Sequence, residues 1–346
     1  MTDGKQPHEN AGRCSKGDCP LNFHCSSIVY PKTCNPSTQP MRLTKLAGVM
    51  LVSVASSLVA QEFTPRSFPI RSVESWSYQS PSMGERYDIS VGLPPGYKEN
   101  PSKSWPLLVV TDGNQVFPLA FEAATSLAGQ GDIDGVIVLS VGVTIEDGDS
   151  AWTRRRIYEF SPPNWDRQDP FGKLLTGFCA AYKAAPDKCS GGAPKFLDLI
   201  VKEIIPKAKA KYRIDMNRLG LFGVSAGGFF ASWVIFQPNS PFTTYIISSP
   251  ATAYGDGEAL KLEAKYAETH KDLKAGIYMA SGELEMENPM LEGTGQIVSG
   301  MTHLGAKLKS RNYPGLKLFM EIHRGLGHSD AAGTTLNRGI RLLYAK

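Results

Sequence analysis

From residue 85 onward the chain alternates two hydrophobic rhythms: short apolar runs, and longer stretches with apolar residues at helical spacing. Residues 87–93 read as a strand, closed by the turn signal Pro94-Pro95-Gly96. Residues 106–111 and 135–143 are continuous apolar runs of the kind buried inside a parallel sheet, with helical composition between them at 116–128. Residues 196–212 carry apolar positions at helical spacing, with lysines on the other face. A further apolar run at 218–222 leads directly into another at 229–233. Strands are then predicted at 243–248, 277–280 and 316–322, and helices at 258–270, 296–311 and 330–344. Repeated strand–helix units of this kind predict an α/β fold with a mostly parallel central sheet and helices on both faces.

One region breaks the rhythm. Residues 144–194 are rich in Pro, Gly, Asp, Trp and Arg and only weakly periodic. A long irregular insertion in a compact domain is usually a functional loop, and this one is expected to form a lid over a site.

The site itself is expected at Gly223-Val224-Ser225-Ala226-Gly227-Gly228, between the runs at 218–222 and 229–233. Strand, sharp glycine-rich turn and helix form the setting of a nucleophile elbow. There a serine holds strained dihedrals with its hydroxyl projecting from the sheet, and the next N–H, that of Ala226, lies at a helix N-terminus where it can stabilise an oxyanion. A serine hydroxyl needs a base, and in such folds the chain order is Ser, acid, His. His328 lies in a Gly-rich stretch between the last strand and the last helix and is the expected base, with His323 as the alternative. The acid is expected just after the strand at 277–280, where Glu283 and Glu285 are the candidates, Glu285 first. A second oxyanion N–H is expected from Asn114, in the loop after the run at 106–111; Asp112 is expected to hold that loop by local hydrogen bonds. No metal or organic cofactor is called for.

Composition narrows the class. The 346 residues are 42% hydrophobic and 20% charged with a formal net charge of +4, which suits a globular protein with a large core and argues against a nucleic-acid binder. Residues 41–60 combine a basic start, an apolar run and a small-residue end at Ala60, the pattern of a secretory leader too short to be a comfortable membrane span. Residues 1–40 are then expected to be an extension upstream of the native start, and 61–346 the mature domain, periplasmic or secreted, with no stable membrane insertion. Cys179 and Cys189 remain in that domain, and an even pair in an exported chain predicts a disulfide closing a short loop.

Several of these residues together resemble the esterase D-like branch of the α/β-hydrolases: Leu93-Pro94-Pro95-Gly96-Tyr97, the run from Trp105 to Gly113, the Ser225 elbow, Gly282-Glu283-Leu284-Glu285 and Gly327-His328-Ser329. Within the branch, Arg154-Arg155-Arg156 leading to Ser161-Pro162 is most similar to siderophore esterases, which hydrolyse the trilactone backbone of ferric catecholate siderophores. The resemblance implies Ser225 as nucleophile and His328 as base, acting on a small-molecule ester. It leaves the acid open. A ferric catecholate is a polyanion, so Arg154, Arg155 and Arg156, with Trp152 as aromatic surface, are expected to bind it. A general carboxylesterase or thioesterase, an acyltransferase and a non-catalytic binding protein on the same fold are the competing readings.

Overall fold

The computed structural model describes residues 71–346. The extension and leader expected at 1–40 and 41–60 lie outside the described residues. Eight strands form one sheet: β1 (Val73–Gln79), β2 (Arg86–Gly92), β3 (Trp105–Val110), β4 (Ile137–Val143), β5 (Ile214–Val224), β6 (Thr244–Ser248), β7 (Ala275–Gly282) and β8 (Leu316–His323). Their spatial order is β1-β2-β4-β3-β5-β6-β7-β8. The β1–β2 and β2–β4 pairs are antiparallel, and every pair from β4–β3 to β7–β8 is parallel. β3 and β4 are buried along their whole length, which is why their sequences read as unbroken apolar runs.

The helices are α1 (Gly113–Gly129), α2 (Gly148–Phe160), α3 (Pro170–Ala181), α4 (Ala193–Asp198), α5 (Ile205–Lys211), α6 (Ala226–Val234), α7 (Glu258–Thr269), α8 (Ile297–Ser310) and α9 (His328–Leu343). A π-helical stretch, Leu199–Ile204, joins α4 to α5. On one face of the sheet, α1 and α9 enclose a core that includes Phe117, Phe121, Leu336 and Ile340. The buried residues of α9 fall at 331/332, 335/336 and 339/340, a single helical stripe. On the other face a larger core includes Phe196, Phe229, Phe230, Ile297 and Leu304 from α4, α6 and α8.

Three expectations are corrected. β1 has no counterpart in the reading of the sequence: it is an edge strand with mostly exposed positions, so its apolar signal is weak. The insertion after β4 is largely helical, holding α2 and α3 where irregular loop was expected. And α9 begins at His328 itself, two residues earlier than expected, so that histidine occupies a helix's first turn. α3 also carries the disulfide: Cys179 in its last turn is bonded to Cys189, with the two Cα atoms 5.6 Å apart. Closing so short a loop contributes about 2–3 kcal/mol by restricting the unfolded chain.

Candidate active site

The sheet's strand order reverses around β3, and binding sites in such folds lie beyond the carboxyl ends of the strands near that reversal. β5, next to β3, ends at Val224, and α6 begins at Ala226. Ser225 between them has φ 59° and ψ −117°, a conformation that costs a residue with a Cβ about 1–3 kcal/mol. The turn is held by its surroundings. The Ser225 N–H donates to the Ser248 carbonyl at 3.0 Å, while the Ser225 carbonyl accepts from the N–H groups of Ala251 at 3.0 Å and Phe229 at 2.9 Å. Two glycines make the close approach feasible. A Cβ on Gly227 would lie 2.6 Å from Thr111 Oγ1, and one on Gly228 would lie 2.6 Å from the Ser248 carbonyl oxygen. Ala226, as the first residue of α6, presents one of the N–H groups that a helix start leaves without an intrahelical partner.

β7 and α9 bring the second half of the site. Glu285 follows β7 in a short 3₁₀ turn, is 1% exposed, and accepts from the Gly282 N–H at 2.9 Å with one carboxylate oxygen. Its other oxygen lies 2.5 Å from His328 Nδ1. With Glu285 ionised, Nδ1 carries the proton and Nε2 is left as an acceptor. His328 and Ser225 line the same cavity of about 240 Å³. Glu283 is placed differently: it accepts from the Gly325 N–H at 2.8 Å and so pins the loop leading to His328.

His323 does not reach this cavity. It is buried between β8 and α9, with Nε2 3.4 Å from Thr335 Oγ1, and burial holds its pKa below the ordinary histidine value. It is therefore corrected from alternative base to a packing residue. Asn114 is also off the cavity. Asp112 takes a left-handed conformation (φ 53°), α1 starts directly after it, and Asn114 turns into a separate cleft against Gly142. Asp112 is the loop residue that lies against the elbow, 3.3 Å from where a Gly227 Cβ would be.

The arginine triplet is corrected by α2. Consecutive helical residues point about 100° apart, so three neighbours cannot share a face. Arg156 reaches the cavity, where its Nε donates to Asp112 Oδ1 at 2.8 Å and its Nη2 to the Val224 carbonyl at 3.1 Å. Its guanidinium sits over the rings of Trp152 and Phe160, and Trp152 also lines the cavity. Burial alone would lower the Arg156 pKa, but Asp112 raises it above the ordinary arginine value. Arg155 turns into the scaffold and is 8% exposed. It donates to Glu159 at 3.0 Å and to the Arg86 carbonyl at 2.7 Å, and its charge lies over the Tyr87 ring. Burial pushes the Glu159 carboxyl up, and Arg155 opposes this. Arg155 is thus committed to a buried ion pair and does not line the Ser225 cavity. Arg154 faces a second cleft, which the Arg155–Glu159 pair also lines, together with Lys183 and Lys188 of the disulfide loop.

What is left around Ser225 is mostly apolar. Phe171, Leu175, Phe178, Met290 and Ile297 contribute to the wall, with Met290 52% exposed at its rim. Tyr254 also lines the cavity and had no signal in the sequence, since the fold alone brings the segment after β6 against α6. Among the described residues no cluster of three His, Cys, Asp or Glu side chains is arranged to hold a metal ion, and no helix is long and apolar enough to cross a membrane.

A model of the esterase family matches residues 80–289, more than half of the chain. Among curated relatives, the siderophore triacetylfusarinine C esterase of Aspergillus fumigatus is 27% identical over 232 residues, covering 65% of this chain and 72% of that protein. The siderophore enterobactin esterase of Emericella nidulans is 29% identical over 188 residues, covering 52% of this chain and 58% of that one. Among solved structures, the BES protein from Bacillus cereus matches with a TM-score of 0.67 at 25% identity, covering 82% of this chain and 100% of that one. The architecture they share is the α/β-hydrolase fold.

Proposed function

The chain belongs to the esterase family, and from that premise we propose that it hydrolyses carboxylic esters through Ser225, His328 and Glu285. The observation that carries this reading is the Glu285–His328 contact of 2.5 Å on the cavity that Ser225 enters from its strained elbow. Ser225 Oγ attacks the ester carbonyl carbon while His328 Nε2 takes its proton. The tetrahedral oxyanion is held by the Ala226 N–H at the start of α6. His328 returns the proton to the departing alcohol, then activates the water that releases the acid and restores Ser225. Glu285 holds the imidazole in the productive tautomer throughout.

The substrate we propose is a siderophore with an ester-linked backbone. Support comes from the named activities of the two curated relatives. The arginine triplet does not add to it, because Arg155 is in the scaffold and Arg156 is already paired with Asp112. The apolar wall suits an arm of the substrate that enters without charge. That same wall favours one second reading, a carboxylesterase for small neutral esters. The leader pattern at 41–60 and the Cys179–Cys189 bond support an exported, periplasmic or secreted, setting.

The test is a substrate panel on purified protein: ferric enterobactin, ferric triacetylfusarinine C and p-nitrophenyl butyrate, with products identified by mass spectrometry. The proposal expects a trilactone opened to linear fragments with kcat/KM at least about 10²-fold above that for the butyrate. The reverse ranking supports the small-ester reading. No turnover of any member refutes both.

A further inference from the structure

Most buried tyrosines of this chain spend their hydroxyl on the protein. Tyr87 donates to Glu159, Tyr278 to Glu321, Tyr245 to the Phe242 carbonyl and Tyr344 to the Leu107 carbonyl. Tyr254 does not. It is 2% exposed and lines the cavity with Ser225 and His328, and its hydroxyl makes no hydrogen bond among the described residues. The Tyr313 hydroxyl is sealed in the protein without a partner, whereas the Tyr254 hydroxyl is not sealed and opens on the cavity, where phenylalanine would pack equally well. The hydroxyl is therefore unexplained by packing.

The ring is fixed in place. It stacks on Phe229 with centroids 4.9 Å apart, meets Phe171 edge-on at 4.8 Å and touches Trp165 at 5.5 Å. Its segment is tied to the nucleophile's own backbone through the Ala251 N–H bond to the Ser225 carbonyl. The charges of Arg156 and Asp112 both act on its hydroxyl, and Arg156 is itself bonded to the Val224 carbonyl just before the elbow. Tyr254 thus sits on the cavity that Ser225, Arg156 and His328 line, within the field of the Arg156–Asp112 pair.

We propose that Tyr254 is a further catalytic residue, donating a hydrogen bond to the ester carbonyl oxygen as it becomes an oxyanion. The step rests on the ester-hydrolase reading above, and no bond to hydrogen is broken in it: the phenol keeps its proton while charge builds on the substrate oxygen. Burial pushes the phenol up to about 12, so it stays a neutral donor across the working range of a histidine base. Because the ring is clamped by its neighbours, little reorganisation accompanies the developing charge, which is the condition under which such a donor is most effective.

The experiment compares wild type with Tyr254→Phe on p-nitrophenyl butyrate, measures inhibition by a trifluoromethyl ketone and by butyrate, and records thermal melts. The substitution is expected to lower kcat by roughly 10²-fold, the range seen for loss of one oxyanion donor, with KM changed less than about threefold. The ketone, which forms a tetrahedral adduct, should bind weaker by a similar factor, while butyrate binding and the melting temperature hold steady or improve. Wild-type turnover with an unchanged kcat in Tyr254→Phe, or a loss confined to KM, overturns the role of Tyr254 alone. Absence of wild-type turnover overturns the ester-hydrolase reading and this role with it.

Discussion

Replacing Ser225 with glycine is expected to remove ester hydrolysis while making the protein more stable. The kinetic half follows from chemistry: without the hydroxyl there is no acyl-enzyme, and kcat should fall by roughly 10⁵- to 10⁶-fold, leaving the weak assistance of the oxyanion site. The stability half follows from the backbone. At φ 59° and ψ −117°, a residue with a Cβ carries about 1–3 kcal/mol of strain that glycine does not. Glycine gives back about 0.4–1 kcal/mol through the greater freedom of the unfolded chain. Strain relief is the larger effect, so a net gain of about 1 kcal/mol is expected, a rise of roughly 2–4 °C in melting temperature for a domain of this size. Paired melts and steady-state rates on the same preparations check both. A variant that loses activity and stability together would mean that the elbow is not strained.

The second large effect separates two neighbouring glutamates. Glu285→Gln should lower kcat by about 10³- to 10⁴-fold with little change in KM. Glutamine keeps an acceptor for the Gly282 N–H, so the 3₁₀ turn after β7 should survive. Its amide can satisfy His328 Nδ1 only by donating to it, which places the imidazole proton on Nε2, where it cannot receive the serine's proton. The charge that balances the imidazolium is also gone. Glu283→Gln should cost only a few-fold, because glutamine can still accept from the Gly325 N–H and the loop leading to His328 stays pinned. Similar effects at both positions, or a larger one at Glu283, would contradict the assignment.

These residues also show what the sequence could and could not convey. The buried strands β3 and β4 are legible because burial on both faces forces an unbroken apolar run. The elbow is legible because its geometry demands glycines at fixed offsets from the serine. Glu283 and Glu285 are two residues apart, and nothing local says which turns inward; the short 3₁₀ turn decides, burying Glu285 and leaving Glu283 for the loop. Arg154, Arg155 and Arg156 look like one basic cluster as a string. A helix spreads them around its axis: Arg156 turns to the cavity, while Arg154 and the Glu159-paired Arg155 border another cleft. Asn114 lies in the expected loop, but the positive φ falls on Asp112 and turns Asn114 into a separate cleft. Tyr254 has no pattern around it at all. Its place depends on β6 lying beside β5 and on three aromatic rings contributed by α3, α6 and the segment between α2 and α3.

The central claim is that Ser225 is the nucleophile, and covalent labelling tests it most directly. Wild-type protein treated with a fluorophosphonate during turnover of p-nitrophenyl butyrate is digested, and the modified residue is located by mass spectrometry. One adduct per chain on the peptide carrying Ser225, accumulating in step with the loss of hydrolysis, is the predicted result. Hydrolysis that continues with Ser225 fully labelled, or is lost with the adduct on another residue, would contradict it.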